Sequence, residues 1–479
     1  MRSTGANGWT HTTLGTIRCD ATRSIDPRKS PSEVFDLYSV PAHASGGPED
    51  VRGSEVGSSK RLVEPGTVLV CKINPRINRT WVVDGGSGRR QIASTEWIPF
   101  SPTPDVVPNF LAYFMQQEVF RQHLATNVSG VGGSLMRVRP RVAEEFPFAY
   151  PDIESQEQLV AKLDELFSDL DAGVTALERA KANLARYRAA VLKAAVEGKL
   201  TKEWRRENPD VEPASELLKR VLRERRTVWE GEQLAKYAAK GKRPPSGWRE
   251  KYKEPTPALA ADTAPARSWV SVSLGQVALF QNGRAFPSKE YSNVGTKLLR
   301  PGNLYADGSV RWITKNTRRM PPEWEQRHPD YVVGGGELVM NLTAQSLADE
   351  FLGRVCLTDD GEHCLLNQRL ARITPIDGAS CKYLLYVLKS ERFRRFVNGL
   401  NTGSLIQHMF TSDLADFTFP LPPKDEQCKI VAATERHLEV IERVGLQIGT
   451  QQQRVAVLHQ SVLASAFAGR LAGIEGASG

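Results

Sequence analysis

The stretch that decides the fold is Val191-Leu-Lys-Ala-Ala-Val-Glu-Gly-Lys-Leu200, because the chain repeats it as Val462-Leu-Ala-Ser-Ala-Phe-Ala-Gly-Arg-Leu471. Each copy closes a longer repeat, in which residues 146–200 align without a gap on residues 417–471. A repeat of this length indicates that one structural unit has been duplicated within the chain. The 479-residue sequence therefore predicts two similar halves rather than a single fold.

The repeat continues upstream of these segments, towards the start of each half. A tryptophan, Trp9 or Trp269, followed by a Leu-Gly pair, opens each half. The Gly-rich turn Gly130–Gly133 accounts for a small difference in spacing, since turns accept insertions. Further identical pairs are Leu111/Leu384, Tyr113/Tyr386, Glu118/Glu391, Phe120/Phe393 and Arg121/Arg394. The predicted order is module, long helix, linker, module, long helix.

Apolar residues recur every seven positions in both repeated tails, a spacing typical of the seam of a coiled coil. Gly198 and Gly469 stand where helices commonly stop. The seam residues are Leu163, Leu170, Leu177, Leu184 and Val191 in the first tail, and Ile441, Ile448, Val455 and Val462 in the second. Each tail is therefore predicted to be one helix, about 65 Å long at a rise of 1.5 Å per residue.

A single helix of that length cannot bury its apolar stripe alone, so the two tails are predicted to pack on each other. An antiparallel pair would place the modules at opposite ends, related by a pseudo-twofold axis, whereas a parallel pair would crowd both modules at one end. We favour the antiparallel arrangement. The predicted fold class is α+β, with two similar α+β domains separated by two long antiparallel coiled-coil helices.

Each module combines short β-rich runs, broken by Gly, Pro and Asn, with a closing helix. Between the halves, a charged segment predicted to be helical over Ala214–Ala239 precedes a Pro-rich stretch, which predicts a helical arm and a flexible tether. The predicted boundaries are residues 1–150 and 269–420 for the modules, 151–200 and 421–472 for the long helices, and 201–268 for the charged arm and Pro-rich linker.

Composition narrows the class of protein. Apolar residues make up 40% and charged residues 25%, as in folded soluble proteins, and no run approaches the roughly 20 apolar residues of a membrane span. We therefore expect a cytoplasmic protein with no membrane contact, and the net charge of +8 permits a polyanionic partner. The six cysteines are scattered, which argues against a disulfide framework. Cys356 and Cys364, beside His363, are interpreted as buried apolar residues rather than metal ligands.

We identify no catalytic motif in the sequence. Gly198-Lys199 and Gly241-Lys242 lack the hydroxyl residue that completes a phosphate-binding Walker A loop. The Pro-Pro pairs lack the acidic or Asn residue and the aromatic residue that an amino-methyltransferase requires. We therefore expect no catalytic residues and no metal site, and favour a binding or scaffolding role.

Polar side chains suited to DNA recognition gather at strand ends and turns in both modules. Arg, Lys, Asn and Gln donate and accept hydrogen bonds at base edges, and Lys and Arg neutralise phosphates. Residues 341–345 occupy the strand end equivalent to 71–75, and residues 367–369 align with 94–96. At each position the alternative is an ordinary solvated loop residue. The DNA-binding candidates are Lys72, Asn74, Arg76, Asn78, Arg79, Arg89, Arg90, Gln91, Asn341, Thr343, Gln345, Asn367, Gln368 and Arg369.

The repeated pattern resembles that of the specificity (S) subunits of type I restriction-modification enzymes. The resemblance rests on Phe-Pro-Phe at 146–148, Glu-Gln-Leu-Val at 157–160, the two repeated helix ends and Trp-x4-Leu-Gly at the start of each module. Lys72-Ile-Asn-Pro75 and Leu366-Asn-Gln-Arg-Leu370 fit the same family. The resemblance covers nearly the whole chain, and the helix-end motif is its most specific part.

The resemblance implies a non-catalytic subunit whose two target-recognition domains each read one half of a bipartite, asymmetric site in double-stranded DNA. The helices would set the spacing of the half-sites and dock two methyltransferase (M) subunits. Those partners would bind S-adenosylmethionine, and two motor-nuclease (R) subunits, where present, would bind ATP and Mg²⁺, so no cofactor is expected on this chain. Independently, two similar but non-identical modules on a rigid spacer suit a bipartite, non-palindromic site.

Two alternatives stay open at this point. A repeat-built protein scaffold would share the duplicated architecture without binding a specific DNA sequence. A nuclease could assemble its catalytic groups from distant positions. Protection of a specific sequence by the complex would exclude the scaffold, and metal-dependent cleavage by the isolated chain would indicate the nuclease.

Overall fold

The computed structural model describes residues 3–4, 8–17, 23–86, 88–129, 136–258, 264–347, 349–400 and 407–471. The turn predicted at Gly130–Gly133 lies outside these residues. The chain divides into two compact units, Met1–Ala180 with Gln447–Gly479, and Lys181–Leu446. No helix within the described ranges is both long enough and apolar enough to cross a membrane.

The first unit combines short strands with short helices and ends in a long helix. Its strands are β1 (Ser3–Thr4), β2 (Thr10–Thr13), β3 (Ser24–Ile25), β4 (Val34–Tyr38), β5 (Glu49–Arg52), β6 (Lys60–Val63), β7 (Val68–Cys71), β8 (Thr80–Val82), β9 (Gln91–Ala93), β10 (Trp97–Phe100), β11 (Val128–Ser129), β12 (Arg137–Val138) and β13 (Pro147–Tyr150). Its helices are α1 (Leu14–Ile17), α2 (Pro108–Met115), α3 (Glu118–Thr126), α4 (Pro140–Glu144) and the start of α5 (Ile153–Val196).

The second unit has the same character. Its strands are β14 (Val270–Ser273), β15 (Ala278–Asn282), β16 (Thr296–Leu299), β17 (Arg319–Met320), β18 (Val332–Val333), β19 (Leu338–Asn341), β20 (Thr343–Ala344), β21 (Val355–Leu357), β22 (Cys364–Leu366), β23 (Leu370–Pro375), β24 (Gln407–His408) and β25 (Thr418–Leu421). Its helices are α6 (Lys202–Glu207), α7 (Ala214–Ala239), α8 (Leu274–Val277), α9 (Pro322–Arg327), α10 (Cys381–Leu388), α11 (Glu391–Gly399), α12 (Thr411–Ala415) and the start of α13 (Lys424–Phe467).

The two units repeat one sheet plan. Strands β2 and β13 pair antiparallel with Thr13 opposite Pro147, and β14 and β25 pair with Ser273 opposite Thr418. The sheet β10-β7-β8 has its counterpart in β23-β19-β21, where β15 adds an edge strand. Each unit also contains one parallel pair, β4 with β9 and β16 with β22. The predicted α+β class and the duplication are both confirmed.

The long helices α5 and α13 run antiparallel. In the first unit, the ring of Phe167 stacks on that of His459 with centroids 4.0 Å apart. In the second unit, the Tyr187 hydroxyl lies 2.9 Å from Nδ1 of His437. Later residues of α5 thus meet earlier residues of α13. All nine seam residues are buried or half-buried, as a packed helix pair requires.

The helices also close the core of each unit. In the first core, Leu159 and Leu163 of α5 and Leu463 of α13 lie among the apolar residues of the module. In the second core, Val196 of α5 and Ile430 of α13 do the same. The beginning of one long helix and the end of the other therefore pack against each module.

The predicted helix ends are confirmed. Gly198 and Gly469 adopt φ angles of +67° and +69°, the left-handed conformation that glycine accepts without strain. The following amides, of Lys199 and Arg470, donate to the carbonyls of Ala194 and Ser465 at 2.8 and 2.9 Å, which closes the last helical turn. The repeated glycines therefore stop both long helices.

The repeated glutamines Gln156 and Gln427 tie each long helix to its module. Gln156 is fully buried; its Oε1 accepts from the Val107 amide at 2.9 Å, and its Nε2 donates to the carbonyls of Asp105 and Pro151. Gln427 makes the matching set, accepting from Ser380 N and donating to the carbonyls of Gly378 and Pro422. In both copies, the amide side chain contacts only main-chain atoms in these bonds.

We expect Gln156→Ala to lower the free energy of unfolding by about 3 kcal/mol, because it leaves a buried N–H and two carbonyls without their partner. Urea-induced unfolding of the full chain measures the loss. Gln158→Ala is the matched control, since that glutamine is exposed two positions further along the same helix, and it should change stability by less than about 0.5 kcal/mol. Equal effects of the two substitutions would contradict the assigned role of Gln156.

The insert that links the two repeats packs against the core of the second unit. Leu217 and Val221 of α7 are buried in the second core, and the Ala214 amide donates to the Ser268 carbonyl at 2.8 Å. The helix predicted over Ala214–Ala239 is present as α7, and a shorter helix, α6, precedes it. The Pro-rich segment was predicted to be a free tether, but Trp248 within it stacks on Trp229 of α7. The aromatic residues hold the segment to the arm.

Candidate nucleic-acid interface

A matching strand end lies in each module. Beyond β7, the Lys72 amide donates to the Glu96 carbonyl at 2.8 Å, and the Val138 amide donates to the Lys72 carbonyl at 3.1 Å. Beyond β19, Leu342 takes the place of Lys72, with its amide bonded to the Arg369 carbonyl at 2.9 Å and its carbonyl to the Met409 amide at 3.0 Å. The predicted equivalence of the two strand ends is therefore confirmed.

Three segments converge at each of these places. We call residues 72–79, 94–96 and 136–139 the first strand-end cluster. The second strand-end cluster consists of residues 342–345, 367–369 and 407–410. The last segment of each leads into a short helix, α4 or α12.

The first strand-end cluster is strongly basic. Burial lowers the pKa of Lys72, Glu96 opposes that shift, and the nearby Arg61 and Arg137 lower the pKa further. Glu96 forms a two-fold ion pair with Arg137, at 3.0 and 3.2 Å. Arg79 is close enough to act on the thiol of Cys71, the residue before Lys72. Several cations thus surround a single carboxylate, which favours an anionic ligand.

The loop of the first cluster has an unusual backbone. Asn74 and Asn78 both have φ angles of +47°, in the left-handed region that Asn tolerates better than most residues. Between them, the single turn Pro75–Ile77 presents Arg76 and Ile77 to solvent. The Arg76 carbonyl accepts from the Arg121 guanidinium at 2.8 Å, which holds the turn on α3.

The candidates Arg89, Arg90 and Gln91 belong to a different sheet, β3-β6-β9-β4-β5. Arg89 pairs with Asp50 at 2.6 Å, and Arg90 forms a two-fold pair with Glu33. Gln91 is buried, and its Nε2 donates to the Asp84 carbonyl at 3.1 Å. The structure does not bring this group into the first strand-end cluster, and it gives Gln91 an internal role.

In the second module, two candidate amides are also internal. Asn341 is fully buried, and its Nδ2 donates to the carbonyls of Thr343 and Phe351 at 2.7 and 2.9 Å. Asn367 is buried, and its Oδ1 accepts from the Arg369 amide at 3.2 Å. These hydrogen bonds shape the strand end and occupy Nδ2 of Asn341 and Oδ1 of Asn367.

The remaining candidates of the second module face outward together. Gln345, Gln368 and Arg369 are exposed, and Thr343 is half-buried. The pairing of β20 with β24 places Thr343 opposite His408, and Phe410 follows with 60% of its surface exposed and its ring 4.6 Å from that of His408. His408 and Phe410 were missed in the sequence, although their place just before α12 matches that of Arg137 and Arg139 before α4.

Equivalent positions of the two clusters carry different chemistry. Glu96 corresponds to Arg369, Lys72 to Leu342, Arg137 to His408 and Arg139 to Phe410. The backbone frame is the same, while the charge, hydrogen-bonding capacity and size of the side chains differ. Such a pair of sites suits two related ligands that are not identical.

Other chemistry is sparse in the part of the chain that the structure describes. No group of three or more His, Cys, Asp or Glu side chains there is arranged to hold a metal ion. Burial raises the pKa of the Cys356 thiol to about 12 and also raises that of Cys364. Nε2 of His363 lies 2.8 Å from Oε1 of Glu325.

Comparison with known protein families gives a match for the second half of the chain. Residues 266–447 match the type I restriction modification DNA specificity domain. This range contains the second module, including the whole second strand-end cluster, and the first half of α13.

Curated relatives extend the likeness over most of the chain. The specificity subunit of the type I restriction enzyme EcoAI from Escherichia coli is 23% identical, over 93% of this chain and 80% of the relative. The EcoKI specificity subunit from Escherichia coli K12 is also 23% identical, over 77% of this chain and 67% of the relative. The MjaVIII specificity subunit from Methanocaldococcus jannaschii is 28% identical, over 33% of this chain and 37% of the relative.

Solved structures share the fold. A chain from a study of complex assembly in the type I R-M system aligns over 97% of this chain and 98% of its own length, with a TM-score of 0.64 and 19% identity. The HsdS subunit from Thermoanaerobacter tengcongensis aligns over 97% of both chains, with a TM-score of 0.50 and 19% identity.

Proposed function

We propose that this chain, which is similar to the specificity subunits of type I restriction-modification enzymes, is the non-catalytic subunit that selects the DNA sequence on which such a complex acts. Each module reads one half of a bipartite, asymmetric site. The relatives are specificity subunits, which favours this function over a protein scaffold without sequence-specific DNA binding.

The observation that carries the proposal is the pair of strand-end clusters. A protein that reads two unlike half-sites needs one docking frame, used twice, with different side chains at the points of contact. The two clusters have this arrangement, since Glu96 and Arg369 occupy matched positions with opposite charge. A scaffold would have no need for matched loops that differ in chemistry.

Our proposed contacts are four members of the clusters that reach solvent: Lys72 is half-buried, and Arg76, Gln368 and Arg369 are exposed. Lys72 and Arg76 of the first cluster suit phosphates or guanine, and Gln368 and Arg369 of the second suit base edges, because Arg and Gln can make two-fold hydrogen bonds there. Gln91, Asn341 and Asn367 support the modules from inside and are not retained as contacts. Arg89 and Arg90, whose charges are paired, are not retained either.

The long helices provide the connection to partners. We propose that α5 and α13 set the spacing of the half-sites and dock two methyltransferase subunits. Apolar side chains on α13, such as Leu446 and Val457, are 75% and 67% exposed, which suits a helix face that a partner covers. S-adenosylmethionine belongs to those partners, and ATP and Mg²⁺ to motor-nuclease subunits in a complex that cleaves DNA.

Arg369→Ala tests the proposed contacts. We expect the preference for one base pair in one half-site to fall by about 1–3 kcal/mol, roughly 5- to 150-fold, with the other half-site unaffected. The full chain, purified with its methyltransferase partners, is measured against duplexes that differ at single positions. Arg327→Ala, an exposed arginine on α9, is the control and should leave every preference unchanged.

The outcomes separate the possible roles of Arg369. A uniform loss of affinity on all duplexes would make it a phosphate contact, and no loss would remove it from the interface. If the unmodified complex itself does not discriminate among the duplexes, the proposed function is wrong.

A further inference from the structure

The insert α6–α7 ends in a hairpin that the modules' cores do not require. The first half of α7 packs on the second unit, where Arg225 Nε donates to the Gly275 carbonyl at 2.9 Å. Beyond Arg225, the buried residues of the cores include none from the remainder of α7. About 20 Å of helix, at 1.5 Å per residue, therefore extends past the last anchoring contact to Ala239.

The return segment of the hairpin is held by aromatic contacts. Trp229 and Trp248 stack with their centroids 5.9 Å apart, and Tyr252 packs on Trp229 at 5.3 Å. Arg226 lies over the Tyr252 ring at 5.6 Å. Arg249 lies over Trp248 at 5.0 Å and pairs with Glu230 at 3.1 Å. These contacts order the segment against α7, so the residues around the turn are presented on a folded element.

We call residues 234–253 the arm tip, and its charge is strongly one-sided. The tip has seven Lys and Arg residues and a single acidic residue, Glu250. Two of the cations, Lys236 and Arg249, pair with glutamates. For the other five, no ion pair is found among the described residues, and all five are exposed. These five are Lys240, Lys242, Arg243, Lys251 and Lys253.

We propose that the arm tip binds the sugar–phosphate backbone of duplex DNA without regard to sequence. This inference rests on the proposed function, which supplies DNA as the polyanion. Exposed lysines on a rigid hairpin act as point charges that displace counterions from phosphates. The tip has few side chains that could read bases, unlike the strand-end clusters, where Gln368 and Arg369 lie side by side. Sequence recognition by the strand-end clusters and electrostatic binding of the DNA backbone by the arm tip are thus carried out by different parts of the chain.

The test removes the five cations from the tip. A variant carrying K240Q, K242Q, R243Q, K251Q and K253Q is purified as the full chain with its methyltransferase partners. Its affinity is measured at several KCl concentrations for a target duplex and for a random-sequence duplex. We expect the slope of log K against log salt to become shallower by about 0.9 for each phosphate that the variant no longer neutralises. At moderate salt, both duplexes should lose affinity by the same factor, at least about tenfold.

A matched control removes the same charge elsewhere on the second unit. Lys202, Arg206, Lys289, Lys315 and Arg327 are exposed cations outside the tip and the second strand-end cluster, and all are changed to Gln. This control should keep a larger salt slope than the tip variant. The methylated sequence should be the same in both variants, because neither alters a reading position.

Three results would overturn the inference. If log K depends equally steeply on log salt for the tip variant and the unmodified complex, the tip is an ordinary solvated surface that does not contact DNA. If the tip variant no longer co-purifies with the methyltransferase, the tip binds an acidic surface of that protein rather than DNA. A loss of affinity confined to the target duplex would make the tip a reading element. Failure of the proposed function is distinct, since the unmodified complex would then bind target and random duplexes equally.

Discussion

Glu426→Ala is expected to lower the free energy of unfolding of the second unit by about 3–5 kcal/mol, since it removes one partner of a buried ion pair. The Glu426 side chain is completely buried at the start of α13. It accepts hydrogen bonds from Thr201 Oγ1 and Trp269 Nε1, both at 2.7 Å, and from the Arg205 guanidinium at 2.5 Å.

The effect is large because the groups that donate hydrogen bonds to Glu426 are largely buried and cannot form hydrogen bonds with water instead. The side chain of Arg205 is only 18% exposed, and its other bond, to the Gly198 carbonyl at 2.7 Å, holds it in place. Without the carboxylate, a cation and an indole N–H stay buried with fewer acceptors. Glu426 also joins Thr201, which precedes α6, to Arg205 of α6 and to Trp269 at the start of the second module, so its removal weakens several elements at once.

Calorimetry on the full chain measures this change. Asp425→Ala is the control, because Asp425 is the preceding residue of α13 and is exposed, and it should cost less than about 0.5 kcal/mol. Glu426→Gln should be intermediate, since the amide oxygen can still accept from Thr201 or Trp269. If Glu426→Ala melts at the same temperature as the control, the assigned role of this carboxylate is wrong.

The second large effect concerns specificity. When residues 1–145 are replaced by the corresponding module of a relative that recognises another sequence, one half of the methylated DNA sequence should be replaced completely. The other half should stay the same, because it is read by residues 269–416. Sequencing of methylated DNA from cells that express the complex measures both halves in one experiment.

The reciprocal exchange, of residues 269–416, is the control and should alter the opposite half. Simultaneous change of both halves would mean that the modules do not read independently. No change in either exchange would mean that recognition lies outside the modules, which would contradict the role of the strand-end clusters.

The sequence predicted the long helices well and their packing in less detail. The seven-residue spacing identified both helices and their seam. Leu458, three residues after the seam residue Val455, falls on the same face by that spacing, yet it is 49% exposed. His459 takes the inward position, stacked on Phe167. A straight helix with 3.6 residues per turn drifts from a seven-residue repeat, so the inward face moves by one residue over several turns.

The candidate site could be predicted in position and only partly in composition. The repeat located both strand ends, since the alignment of residues 341–345 with 71–75 follows from the sequence. Whether an amide at a strand end faces solvent depends on neighbouring strands, and so Asn341 and Asn367 could not be told apart from Gln345. His408 and Phe410 join the cluster from more than 60 residues away, and no local pattern links them to Thr343.

The glutamine anchors Gln156 and Gln427 have a consequence for how such a protein changes over generations. Each holds its module through peptide carbonyls, which every residue has, and through one peptide N–H, which every residue except proline has. A recombined or heavily mutated module can keep this attachment as long as its main chain follows the same path. New DNA preferences can therefore arise while the joint between module and helix is inherited intact.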